Sequence, residues 1–277
     1  MKFASFEAAG RATWGAVVGR GLVDLGARYP TLRAAIAADA LTGIAREIAA
    51  AKPDYAITEV AFLPTIPDAG KIVCIGRNYR AHVAEGAGKL PDFPSVFFRF
   101  GSSQVGHERP LRLSRLSRDY DYEGELALVI GKPARHVTRE QALEHVAGYT
   151  CFNESCYRDY QFKHSLAIGK NFEASGAVGP WLVTADEIPQ PSELMLTTRL
   201  NGVQVQHASV SGLIFDIPYL ITYLSGVMTL KPGDLVVTGT PEGVGFARTP
   251  PLWMKAGDVV EVEISRIGVL RNRVEPE

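Results

Sequence analysis

The stretch RDYDYEGELALVIGK, Arg118 to Lys132, sets Asp119, Asp121, Glu123 and Glu125 at every second position and then turns almost wholly apolar. Residues i and i+2 of a strand share one face roughly 7 Å apart, so Glu123 and Glu125 can converge on one point. Two bare carboxylates at that spacing repel, and one takes up a proton unless a cation sits between them. Hard oxygen ligands of this kind select Mg²⁺, Mn²⁺ or Ca²⁺ over zinc. A solvent-facing edge strand would carry the same pattern. The balance shifts with the next strand-like run, GYTCFNESCYRDYQ, which ends on a third acid, Glu154. That residue stands at a strand-to-helix junction, where functional side chains are often aimed, with Ser155 placed to cap the helix CYRDYQFKH. Three carboxylates, with Gly124 removing bulk between two of them, form a candidate octahedral cation site with positions open for substrate and water.

A second candidate lies in GRNYRAHVAEG, Gly76 to Gly86, where His82 and Glu85 stand three apart behind the strand KIVCI. On a helix they face the same way, and Glu85 can orient the imidazole to accept a proton from water. Solvated helix pairs carry the same spacing, so H-x-x-E alone is weak. Lys170 follows a glycine in AIGKNF, and TGTPEGVG, Thr238 to Gly245, is a glycine-rich loop after an apolar strand. The loop lacks the Gly-Lys-Ser/Thr ending of a nucleotide loop, but its N–H groups and the Thr240 hydroxyl can hold a carboxylate. Glycines that serve only a tight turn are the plainer reading. The sequence shows no G-x-S-x-G, no H-E-x-x-H and no G-x-G-x-x-G after a strand, which argues against α/β-hydrolase, zincin and dinucleotide-binding assignments.

The elements that must position these residues fit a β-rich α+β chain. Its 277 residues, 46% hydrophobic, suffice for one large domain or a small one beside a large one. A net charge of -1 gives no electrostatic case for nucleic acid or an anionic membrane, so a small-molecule partner is expected. Cys74, Cys151 and Cys156 imply neither a disulfide framework nor a zinc knuckle, and a reducing cytoplasm is the simplest setting. The start lacks a signal-length apolar run, and no window reads as a membrane span.

Residues 1 to about 25 read as a β-meander, followed by a helix capped by Thr31 and a second from Leu41 to Ala51. Prolines and polar residues after Lys52 suggest a boundary near residue 65, between a small N-terminal domain (1–65) and a catalytic domain (66–277). Thr138 and Gln141 form a capping-box pattern for a helix TREQALEHVAGY, and Asp216 caps IPYLITYLSGV. LKPGDLVVTG and MKAGDVVEVEI are two similar turn-plus-strand units, better explained by recurrent turn chemistry than by duplication.

Taken together, GRNYRAHVAE, DYEGELALVIGK, GYTCFNESCYRDYQ, GKNF, GPWLV, LKPGDLVVTGTPEGVG and GDVVEVEISRIGVLRN closely resemble the fumarylacetoacetate hydrolase family, in order from about residue 70 to 274. The resemblance implies a mixed β-roll catalytic domain beside a small N-terminal α/β domain, a homodimer, and Mg²⁺ or Mn²⁺ at the centre, with Ca²⁺ able to substitute. It places the metal ligands at Glu123, Glu125 and Glu154, the last in a position most often filled by Asp. It places a His-Glu dyad, carried on a lid segment, at His82 and Glu85. Arg77 and Tyr79 of the same motif, with Arg99, Arg158, Gln161 and Thr240, become the expected substrate-binding set, and Lys170 the expected oxyanion stabiliser. Arg99 stands where many members have lysine, and a guanidinium fork recognises a carboxylate differently from an ammonium.

The implied reaction is metal-assisted hydrolysis of a carbon-carbon bond in an acylpyruvate- or fumarylpyruvate-type β-diketo acid, in aromatic catabolism. Decarboxylation or keto-enol isomerisation of a 2-oxo dicarboxylic acid needs the same groups. A non-catalytic small-molecule binding domain is the rival from another class.

Overall fold

The computed structural model describes residues 1–86 and 88–277. Its frame is a mixed sheet whose central path runs Tyr55–Ala56, Gly21–Asp24, Arg11–Val18, Lys2–Ala8, Gly176–Thr184, Val146–Asn153, Gly124–Ile130, Leu235–Val237, Ile72–Gly76 and Ser95–Arg99. Most neighbours are antiparallel, but Leu235–Val237 runs parallel to Ile72–Gly76. A second, five-stranded sheet orders Val203–Ser209, Met195–Leu200, Val259–Ile264, Gly268–Pro276 and Leu111–Leu113. Mixed sheets with few helices make this the α+β fold the sequence implies.

The expected meander is present as the strands Lys2–Ala8, Arg11–Val18 and Gly21–Asp24. It joins the larger sheet through the pairs Lys2 to Val183 and Phe3 to Leu182, so one sheet runs from residue 2 to the strands that carry the acids. The Thr31 hydroxyl accepts from Ala34 N and starts the helix Leu32–Ala37, and a second helix covers Leu41–Ile48. Asp216 caps Ile217–Val227 by accepting from Tyr219 N, with Pro218 in the first turn, where its missing N–H costs nothing.

The strand Gly124–Ile130 is buried throughout and alternates its faces. Leu126, Leu128 and Ile130 pack with Leu196, Val260 and Val262 of the second sheet. Ala127 and Val129, on the face of Glu123 and Glu125, pack with Trp14, Ile36, Ile44 and Val237. Each such aliphatic side chain, fully buried, contributes about 2 kcal/mol before entropy is counted. The carboxylates therefore sit at the open end of a face whose other end is oil.

Two local expectations are corrected. The segment after Thr138 forms only a 3-10 turn, Ala142–His145, because Val146 must already pair with Ile130 and the His145 carbonyl accepts from Gly131 N. Ser155 does not cap a helix. Its hydroxyl donates to Asn153 Oδ1, Cys156–Tyr157 pairs with Tyr120–Asp121, and the helix begins later as Arg158–Lys163. Among the described residues, no helix is long and apolar enough to cross a membrane.

Candidate active site

Strand register brings the three acids together. Gly124 pairs with Asn153, Glu154 N donates to the Glu123 carbonyl at 2.7 Å, and Glu123 N donates to Asn153 Oδ1 at 3.2 Å. One carboxylate oxygen from each of Glu123, Glu125 and Glu154 lies within 4.8 Å of the others, and all three residues are buried. Gly124 serves this arrangement differently from the sequence expectation. It faces away from the carboxylates, and a Cβ there would stand 2.0 Å from Thr198 Oγ1, so glycine is what lets the two sheets close behind the acids.

The positive partners of the acidic strand are Arg158 and Lys170, both buried. Arg158 pairs through Nε with Asp121 at 2.8 Å and through Nη2 with Glu123. Lys170 Nζ pairs with Glu123 and, at 3.2 Å, with Glu154 Oε2, and donates to the Glu154 carbonyl at 3.3 Å. All three ammonium hydrogens thus have protein acceptors, which makes Lys170 a holder of carboxylates. Burial works against its charge, and Cys156, Glu123 and Glu154 around it outweigh that burial and raise its pKa.

The two glutamates of the E-x-E pair fare oppositely. Burial alone would raise Glu123, but Arg158 and Lys170 bring it down to about 2. Burial and then the facing charges of Glu154 and Glu123 push Glu125 well above the usual carboxylate range, with Lys170 and the Gly239 N–H opposing. Glu154 Oε1 is buried without a hydrogen-bond partner. Among the described residues, Asp121, Glu123 and Glu154 pair with two cations, Arg158 and Lys170, and one carboxylate oxygen of the group is left without a hydrogen bond. Such a donor set, all oxygen and short of positive charge, fits a hard divalent cation.

These groups open onto a cavity of about 130 Å³ that His82, Arg77, Gln161 and Thr240 also line. His82 and Glu85 lie on the helix Arg80–Glu85, and His82 Nδ1 stands 3.2 Å from Glu85 Oε2. Glu85 Oε1 accepts from Gly243 N at 2.9 Å, tying the helix to the glycine-rich loop. Thr240 donates to the Gly124 carbonyl at 3.0 Å, so its hydroxyl braces the E-x-E strand. Arg77, at φ 58, also donates to the Lys89 carbonyl at 2.9 Å.

Two expected substrate contacts lie elsewhere. Arg99 is buried behind the site, where its guanidinium donates to the Ser155 carbonyl, Ser175 and Ser103, so it organises the strand-to-helix junction. Tyr79 is buried against Gly212, with its hydroxyl unpartnered and outside the cavity lining. Sequence reasoning also missed three organisers. Gln206 accepts from Gly124 N and donates to Thr240 and the Pro241 carbonyl, Asn78 donates to the Thr238 and Phe215 carbonyls, and Asp121 holds Arg158. Only Asp121 left a signal, as a member of the acidic alternation.

Residues 71–275 match the family described as fumarylacetoacetate (FAA) hydrolase C-terminal. The chain belongs to the fumarylacetoacetate hydrolase family. It is 37% identical over 265 residues to oxaloacetate tautomerase FAHD2A, mitochondrial, of Homo sapiens, covering 92% of this chain and 84% of that one. It is 40% identical over 225 residues to oxaloacetate tautomerase YisK of Bacillus subtilis, covering 79% and 75%. A crystal structure of maleylpyruvate hydrolase from Sphingobium sp. SYK-6 in complex with manganese (II) ion and pyruvate aligns at TM-score 0.83 and 28% identity, covering 100% of this chain and 99% of that chain. Relatives in this family thus include tautomerases and a hydrolase, and the acidic triad of this member is placed for the same broad class of metal-dependent catalysis.

Proposed function

We propose that this family member interconverts the keto and enol forms of a small 2-oxo dicarboxylic acid, using Mg²⁺ or Mn²⁺. The observation that carries the reading is that an imidazole held by a carboxylate and an undercompensated acidic triad line one small cavity. The tautomerase relatives at 37 and 40% identity support the reaction type, and the manganese-bound relative supports the metal.

Glu123, Glu125 and Glu154 would hold the cation, which when bound supplies Lewis-acid polarisation of the 2-keto group. Arg77 offers a guanidinium to the distal carboxylate, and the Gln161 amide offers N–H donors beside it. Glu85 fixes the His82 ring at Nδ1, leaving Nε2 to take a proton from the carbon next to the keto group and return one to oxygen. Ile75, Phe97 and Leu166 keep the wall of the cavity apolar and exclude water from that transfer. Lys170 keeps Glu123 ionised and Glu154 in place.

Hydrolysis of an acylpyruvate is the second reading. The His82–Glu85 pair favours it, because the same imidazole can take a proton from water, and maleylpyruvate hydrolase is among the relatives. Purified protein with Mn²⁺ should accelerate the loss of enol absorbance from oxaloacetate without releasing CO₂. Release of an acyl acid plus pyruvate from acylpyruvates, with no effect on oxaloacetate, would replace the first reading by the second. Turnover of neither would return the chain to the class of binding domains. In the same reading the protein works as a homodimer, which sedimentation at micromolar concentration tests.

A further inference from the structure

Asp121 is fully buried beside the acidic triad but is not one of its converging carboxylates. Each of its oxygens takes two donors. Oδ1 accepts from Tyr122 N at 2.9 Å and Gly245 N at 2.7 Å, and Oδ2 accepts from Arg158 Nε at 2.8 Å and Phe246 N at 3.1 Å. The guanidinium so fixed lies 4.5 Å over the Phe246 ring and sends Nη1 to Gln161 Oε1 at 3.1 Å. The same amide oxygen accepts from Cys156 Sγ at 3.4 Å.

An amide whose oxygen is held by two donors must turn its NH₂ the other way, and Gln161 lines the cavity. Rotating that amide by half a turn would present a carbonyl instead, and would change attraction for an anionic ligand into repulsion. We propose that Asp121 is a positioning residue, acting through Arg158 to hold the Gln161 amide with its N–H donors toward the cavity. The relay makes the site selective for ligands that place a carboxylate or carbonyl oxygen there. The ligand class rests on the functional reading above, and the orientation of the amide does not.

The substitution Asp121→Asn tests the relay, because an NH₂ on either oxygen would face two donors. In calorimetry with saturating Mn²⁺ and oxalate as the probe, Asp121→Asn should weaken binding about tenfold in the wild-type background. In a Gln161→Ala background the same change should weaken binding by less than about twofold. An equal factor in both backgrounds would overturn the proposal, since a merely structural loss does not depend on Gln161. Should Asp121→Asn not fold, Arg158→Lys goes through the same cycle under the same criterion. Without any ligand, the side-chain amide resonances of Gln161 should shift in Asp121→Asn, and unmoved resonances would also overturn the relay. Wild-type protein that fails to bind oxalate while those resonances shift would sink the functional reading and leave the relay standing.

Discussion

The strand Leu235–Val237 has a buried acid at one end and the candidate site at the other, and the two ends treat negative charge in opposite ways. At its start, Asp234 Oδ1 accepts from Lys71 N at 3.0 Å, and Oδ2 accepts from Lys231 N at 2.8 Å and pairs with Lys71 Nζ at 2.5 Å. Both oxygens are matched. Past its end, Gly239 and Thr240 reach Glu125 and the Gly124 carbonyl, where Glu154 Oε1 is orphaned and Glu125 is pushed toward protonation. A carboxylate that serves the fold is saturated by neighbours of the chain itself. In the acidic triad Glu123 is matched by Arg158 and Lys170, but Glu125 and Glu154 are left short, a deficit that a bound cation would fill.

The largest expected effect separates the two ends outright. Glu125→Gln should lower turnover at least about a thousandfold, read as initial rate with Mn²⁺, while leaving unliganded stability unchanged or raised because burial and the acids beside it already disfavour the ionised carboxylate there. Loss of stability equal to the loss of activity would erase the distinction. Asp234→Asn should do the reverse, costing about 3 kcal/mol in denaturant titration with Mn²⁺ affinity kept within about twofold. Next in size, Mn²⁺ at a hundred times its Kd should stabilise wild type and Asp234→Asn alike by about 2.7 kcal/mol, and Glu125→Gln by none. A Mn²⁺ shift that persists in Glu125→Gln would place the cation elsewhere.

The smallest effect concerns a group that serves only the fold. His107 Nδ1 accepts from Arg271 N at 3.1 Å, which requires the neutral ring, and burial holds its pKa below the ordinary histidine value, with Arg271 adding to burial and Glu108 opposing. The folded chain therefore binds fewer protons at this site than the unfolded one. Its contribution is full above the unfolded value and is lost as pH falls through the folded value. Stability measured from pH 7 down to 5 should decline, and His107→Asn should flatten that decline without altering turnover.

How much of this was legible follows the range of each interaction. The triad was readable because period-two alternation and a strand-to-helix junction are local patterns. Arg158 and Lys170 were legible as residues of the site, but as a substrate contact and an oxyanion stabiliser; that they pair with Asp121, Glu123 and Glu154 depends on long-range packing and left no local pattern. The Lys231–Asp234 and Lys255–Asp258 turns were readable too, and each Asp indeed accepts from the Lys N–H three residues earlier. Gln206 and Asn78 were not, because their partners lie more than thirty residues away and a lone amide carries no periodic signature. Arg99 misled because its charge suggested a ligand contact, whereas the fold gives its donors to a carbonyl and two serines. The Ser155 cap failed for a related reason: Cys156–Tyr157 is drawn into pairing with the distant Tyr120–Asp121, so the helix starts three residues beyond Ser155.

Glu85 spends one oxygen on the histidine and the other on the glycine-rich loop. Swinging the short helix outward to admit a molecule must break the Gly243 contact and unseat the same carboxylate that steadies the ring. With His82 as the proposed base, admission and reactivity would exclude one another: an open doorway would leave the ring unaimed, and a passing water would find no poised partner.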